Sequence, residues 1–180
     1  MNIEELLFTR LGGQVERWHT KPCAKQTIGH HTFGVLNIAL AIAPFHVTRE
    51  FIEAILWHDL PEYDTGDIPA PTKWRYPALD EAVKKAEQGV LDKFGKKFYL
   101  RLEEETIIDL ADKFELVLYS IEEFNKGNRY MIAPAVKVMK KISGILPELD
   151  SDFAEESQEL YNFIKNLPVY KEMEHHYERN

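Results

Sequence analysis

Apolar residues along this chain recur at three- and four-residue intervals, the repeat of helices buried along one face. No stretch alternates as a half-buried strand would. Asn2 stands three residues before Glu5, a pairing that caps a helix start, and Gly12-Gly13 ends that first helix. Residues 14–26 read as a loop, polar and interrupted by Pro22, with Trp18 as its large aromatic. A second helix is predicted from about Thr27 to Ala43, stopped by Pro44; a third is capped by Thr48 and closed at His58-Asp59. The connection 60–77 carries Pro61, Pro69, Pro71, Pro77 and Gly66 and is expected to be a rigid, shaped loop. Helices then cover 78–94, 104–125, 130–143 and 150–166, and the charged tail from Lys171 is expected to fray. The whole reads as one all-α helical bundle over 1–180, without repeats or linkers.

Composition narrows what such a bundle does. At 180 residues it buries a core without disulfides or structural metal, and the single cysteine, Cys23, forms no intrachain disulfide. No run of about 18 apolar residues offers a membrane span, and Met1-Asn2-Ile3-Glu4-Glu5-Leu6 lacks the basic start and apolar stretch of a signal peptide. A cytoplasmic protein with no membrane partner is expected. The net charge of −8 disfavours non-specific nucleic-acid binding, which needs a basic surface. Locally the balance reverses. From Leu6 to Arg49 the only acid is Glu16, against Arg10, Arg17, Lys21, Lys25 and Arg49. The acid-free window Ile68 to Leu79 adds Lys73 and Arg75. Two basic lobes flanking His58-Asp59 suit a small anion; the alternative is chance clustering.

Polar residues on apolar stripes supply the chemistry. The second helix carries Ile28, His31, Val35, Ile38 and Ile42 on one face, and the third carries Phe51, Ala54, Ile55 and His58, so both histidines point inward. The helix over 104–125 carries Ile108, Asp112, Leu116 and Tyr119 at the same spacing. A carboxylate on such a stripe must meet a cation or become protonated. With Asp59, these groups give two histidines and two aspartates, a set for manganese, iron, cobalt or zinc with positions left for water and substrate. A buried His–Asp hydrogen-bond network is the alternative. Two other metal patterns fail. Asp150-Ser151-Asp152 begins like a calcium loop but has Glu155 where glycine is needed, and Glu172-Met173-Glu174-His175 is a single copy of a motif a di-iron bundle needs twice.

The order His31, His58-Asp59, Asp112 resembles the HD-domain phosphohydrolases. Arg17-Trp18, His31-Thr32, His58-Asp59-Leu60-Pro61-Glu62, Thr65-Gly66-Asp67-Ile68-Pro69-Ala70-Pro71, Lys73 and Ala111-Asp112-Lys113 resemble, in order, the 5′-deoxynucleotidase branch. The short interval from His58-Asp59 to Asp112 is similar to that of compact phage enzymes removing dATP. The resemblance covers about residues 10–125, followed by generic helices over 130–166 and the tail 171–180. It implies an HD-type bundle in which His31, His58, Asp59 and Asp112 bind one divalent metal (cobalt, manganese, zinc or iron). Glu62 would orient or deprotonate the attacking water, with Lys73 beside it in the catalytic group. Arg17 and Lys73 would hold phosphate, Trp18 and Thr20 would line the base-and-sugar pocket, and Asp67 would meet the deoxyribose. The implied reaction is attack of water on the α-phosphate of dATP, yielding deoxyadenosine and triphosphate. A 5′-deoxynucleoside monophosphatase, an HD enzyme acting on other phosphate esters and a non-catalytic metal- or nucleotide-binding regulator are the alternatives. A triphosphate tail calls for more cation than Arg17 and Lys73 supply, so a second, looser magnesium is expected. The resemblance further implies a homo-oligomer, dimer or hexamer, in a bacterial or phage-infected cytosol. One departure is His30, where the bacterial branch carries an acid.

Overall fold

The computed structural model describes residues 2–43, 47–149 and 151–179. Pro44, expected to stop the second helix, and Asp150, the first residue of the failed calcium-loop pattern, lie outside the described residues. The chain divides into two compact units, Met1–Phe33 with Thr48–Tyr99, and Gly34–Val47 with Leu100–Asn180.

The first unit opens with α1 (Ile3–Gly12), where Asn2 Oδ1 accepts the Glu5 N–H at 2.8 Å, the cap its spacing predicts. The segment expected to be a loop contains a ladder instead: β1 (Glu16–Arg17) runs antiparallel to β2 (Gln26–Thr27). Strands of two residues show no alternation, so no pattern announces them. β2 leads directly into α2 (Ile28–Ile42). There the Ile28 and Gly29 amides donate to the Val15 and Gly13 carbonyls, both at 2.9 Å. A Cβ on Gly29 would stand 2.9 Å from the Gly13 oxygen, so this approach requires glycine.

α3 (Arg49–Trp57) starts where expected, with Thr48 Oγ1 accepting the Phe51 N–H at 3.0 Å. The connection 60–77 is not one loop. It folds into α4 (Glu62–Thr65) and α5 (Ala70–Arg75), and Pro77 begins α6 (Pro77–Lys93). Prolines that read as breakers stand at helix starts, where their fixed φ suits the first turn and their missing N–H costs nothing. The unit's core joins Phe8, Ile28, Trp57, Leu60 and Val90. The Phe8 ring lies 4.5 Å from Phe94 and stacks on Trp57 at 5.9 Å. At its edge Lys96 Nζ pairs with Glu5 Oε1 at 2.5 Å and lies 4.9 Å from the Trp57 ring.

The second unit holds the rest of α2, then α7 (Leu102–Asn125), α8 (Ile132–Ile145), α9 (Ser151–Asn166) and α10 (Pro168–Glu178). α8 packs on α7 and α10, and α9 on α10. Val35, Ala39 and Ile42 form the buried stripe of α2 here; Ile38 is only half-buried. The tail expected to fray is helical, because Pro168 starts α10 and Tyr170 and Met173 bury at three-residue spacing. No helix among the described residues is long and apolar enough to cross a membrane.

Gly29→Ala should destabilise the protein by about 1–3 kcal/mol, because the contacting atom is backbone and cannot turn aside. The check is urea unfolding, with a lower midpoint and an unchanged slope.

Candidate active site

Three segments of the first unit converge on one carboxylate oxygen. α2 carries His31, fully buried. α3 ends at Trp57, so the Ile55 carbonyl lies in a last turn where carbonyls lack intrahelical donors. His58 Nδ1 meets that carbonyl at 2.6 Å. A carbonyl only accepts, so Nδ1 carries the proton and Nε2 of the neutral ring keeps its lone pair. That Nε2 stands 3.2 Å from His31 Nε2. Asp59 Oδ2 lies 3.3 Å from His31 Nε2 and 3.5 Å from His58 Nε2. Two nitrogens sharing one tetrahedral or octahedral ion stand roughly 3.0–3.4 Å apart. The donor chemistry and spacing therefore fit a divalent transition ion, and both histidines belong to the group of metal-capable side chains found among the described residues.

Arg17, leaving β1, donates from Nη1 to the same Asp59 Oδ2. Burial pushes the Asp59 carboxyl upward, but electrostatic interaction with His58, Arg17, His31 and Lys73 outweighs it and holds the group well below the usual carboxylate range. Glu62, on α4, behaves oppositely. It is 4% exposed, and burial pushes its carboxyl up to about 9, helped by Asp59 and Asp67 and opposed by Arg17 and Lys73. Its Oε1 faces Lys73 Nζ at 3.6 Å, while its buried Oε2 has no hydrogen-bond partner among the described residues. Burial lowers Lys73, yet Glu62, Glu87, Asp59 and Asp67 raise it further, so the ammonium stays charged. A carboxyl held neutral beside a fixed cation keeps a proton to give at neutral pH, and becomes a base only once ionised. Glu87, on α6, carries no motif and was invisible in the sequence; only the fold sets it against Lys73.

Trp18 is buried at 3% exposure, and its backbone is left-handed at φ 58°. Such a conformation costs a bulky residue about 1–3 kcal/mol. Asp67 Oδ2 accepts the Trp18 N–H at 2.6 Å. Thr20 is exposed. His30 is exposed too, unlike the fully buried His31, and its backbone N–H donates to Thr27 Oγ1 at 3.2 Å. Asp112 stands half-buried on α7 in the second unit. The first unit thus brings together Arg17, His31, His58 and Asp59 as one group, Glu62 with Lys73, and Trp18 with Asp67.

Comparison with known proteins puts these features in context. The family profile described as 5′-deoxynucleotidase YfbR-like matches residues 8–161. A dATP triphosphohydrolase of Acinetobacter phage SH-Ab 15497 is 25% identical over 192 residues, covering 95% of this chain and 85% of that protein. A 5′-deoxynucleotidase of Photobacterium profundum is 28% identical over 151 residues, covering 71% of this chain and 77% of the relative. Among solved structures, the PH0347 protein of Pyrococcus horikoshii superposes with TM-score 0.70 at 22% identity, over 91% of this chain and 98% of that one. The cyanophage S-2L HD phosphohydrolase DatZ, bound to dA and one catalytic Zn2+ ion, gives 0.65 at 22% identity, over 93% and 100%.

The raised Glu62 carboxyl has a thermodynamic consequence in metal-stripped protein. Folding favours the protonated form, so this group's contribution is fully present below the ordinary carboxylate pKa near 4.5 and is lost as pH rises through about 9. Glu62→Gln, which keeps shape without charge, should gain thermal stability over wild type progressively between those limits. Melting curves in chelator from pH 4 to 10 test this; a pH-independent difference refutes it.

Proposed function

Because the chain belongs to the YfbR-like 5′-deoxynucleotidase family, we propose that this HD-type deoxynucleotide phosphohydrolase acts on dATP, releasing deoxyadenosine and triphosphate. The observation that carries the proposal is the meeting of His31 Nε2, His58 Nε2 and Asp59 Oδ2, with Glu62 and Lys73 paired in the same unit. The dATP preference rests on the phage relative, aligned over 95% of this chain, and on the dA bound to the cyanophage enzyme. A broad 5′-deoxynucleoside monophosphatase is the second reading, favoured by the Photobacterium relative. A purely binding regulator has no use for the buried Glu62–Lys73 pair.

In this proposal His31, His58, Asp59 and Asp112 hold one divalent ion of cobalt, manganese, zinc or iron. When bound, such an ion makes hydroxide available near neutral pH, lowering the pKa of water from about 15.7 to about 7, and draws charge from the phosphoryl oxygen. Glu62 orients the attacking water or, in its ionised form, takes its proton, worth about 10²- to 10⁴-fold. The Arg17 fork grips two phosphate oxygens and Lys73 adds a point charge. Trp18 and Thr20 border the base and sugar, and Asp67 faces the deoxyribose. A second magnesium accompanies the triphosphate. The profile match over residues 8–161 runs through segments of both units and supports a single HD domain. Homo-oligomerisation as a dimer or hexamer and residence in the cytosol complete the proposal, with neither nucleic acid nor membrane as a partner.

Chromatography of products from dATP, dADP, dAMP and dGTP, with cobalt or manganese, tests it. Intact triphosphate and deoxyadenosine from dATP are expected; turnover confined to monophosphates would install the second reading. Among variants, His58→Ala and Asp59→Ala should lose both metal and turnover. Glu62→Ala should keep metal and lose about 10²- to 10⁴-fold in kcat. A Glu62→Ala defect larger than the other two would overturn that order.

A further inference from the structure

Trp18 is the described residue other than glycine with a left-handed backbone. The cost is steric: a Cβ crowds the neighbouring carbonyl there, so glycine or asparagine usually takes such a position. A large aromatic stays only if something holds it. Its own amide supplies the handle, because Asp67 Oδ2 accepts the Trp18 N–H at 2.6 Å from a residue 49 positions away. Asp67 is 7% exposed, and a carboxylate acceptor in such surroundings makes a stronger bond than a neutral oxygen would. Trp18 directly follows Arg17, whose guanidinium lies on Asp59. The turn at 18 therefore sets the direction in which the chain leaves β1 and delivers Arg17.

We propose that Asp67 is a positioning residue: it clamps the Trp18 backbone in its left-handed turn and thereby aims Arg17 at Asp59 and at the phosphate. This rests on the functional reading above and adds a task to Asp67 beyond meeting the sugar. A direct sugar contact and a backbone clamp make opposite predictions for a substrate without the 3′-hydroxyl. The clamp also acts before any substrate arrives.

The test compares wild type, Asp67→Ala and Asp67→Asn, metal-loaded, on the deoxynucleotide that wild type turns over and on its 2′,3′-dideoxy analogue. With the clamp, Asp67→Ala lowers kcat by about 10²-fold on both substrates, the scale of a misplaced catalytic group. KM moves less and metal content stays at the wild-type level. Asp67→Asn keeps an oxygen for the Trp18 N–H and recovers most of the rate. Hydrogen exchange at the Trp18 amide, followed without substrate, accelerates in Asp67→Ala and stays slow in Asp67→Asn. A defect that vanishes on the dideoxy analogue, or a Trp18 amide equally protected in Asp67→Ala, overturns the proposal. If wild type is silent on every deoxynucleotide, the functional reading fails, and the exchange measurement still decides the clamp.

Discussion

A carboxylate cannot sit among apolar helices unless positive or donating groups surround it, and Asp59 is where the first unit meets that demand. Its Oδ2 receives Arg17 from β1 and lies against the imidazoles of His31 on α2 and His58 at the end of α3. Removing one partner of such a buried set costs about 3–5 kcal/mol, because the remaining charge is stranded. The local devices of this unit serve that convergence. The ladder β1–β2 sets Arg17, the close approach of Gly29 to Gly13 sets the start of α2, and the early stop of α3 frees a carbonyl for His58.

Around that centre, charge is separated rather than simply positive. Asp59 is held ionised while Glu62, three residues on, is held neutral, because Arg17, Lys73 and two imidazoles surround one and burial dominates the other. Two carboxyl groups driven in opposite directions within one short segment are the arrangement that lets one side chain stay a fixed anion and the other exchange a proton. The basic lobes of the sequence divide accordingly. Arg17 and Lys73 belong to this group, whereas Lys25 pairs with Glu16 and Arg49 with Glu53 on the exposed surface, where ion pairs matter little.

Long helices were legible because burial imprints a three-and-four spacing on them: the four later helices fall within two residues of the boundaries their periodicity predicts. Features made by short-range geometry or tertiary contact were not. The two-residue strands of β1 and β2 are too brief for any period. Pro61, Pro71 and Pro77 signal an interruption equally whether they end a helix or begin one. α10 looked like a charged tail because only Tyr170 and Met173 among its residues are buried. Of the candidate site, the histidines and Asp59 were readable from type and spacing. The burial of Trp18, its left-handed turn and the charge of Glu87 on Lys73 depend on neighbours distant in sequence.

The bond from His58 to the Ile55 carbonyl exposes a conflict between two kinds of fitness. Another turn of α3 would add helical hydrogen bonds and claim that carbonyl for a backbone donor. The imidazole would then lose the contact that fixes which nitrogen carries its proton. Pro61, just downstream, opposes such an extension. Here a change that makes the polypeptide sturdier would make the histidine less well defined. At this helix end, selection for durability and selection for chemistry pull in opposite directions.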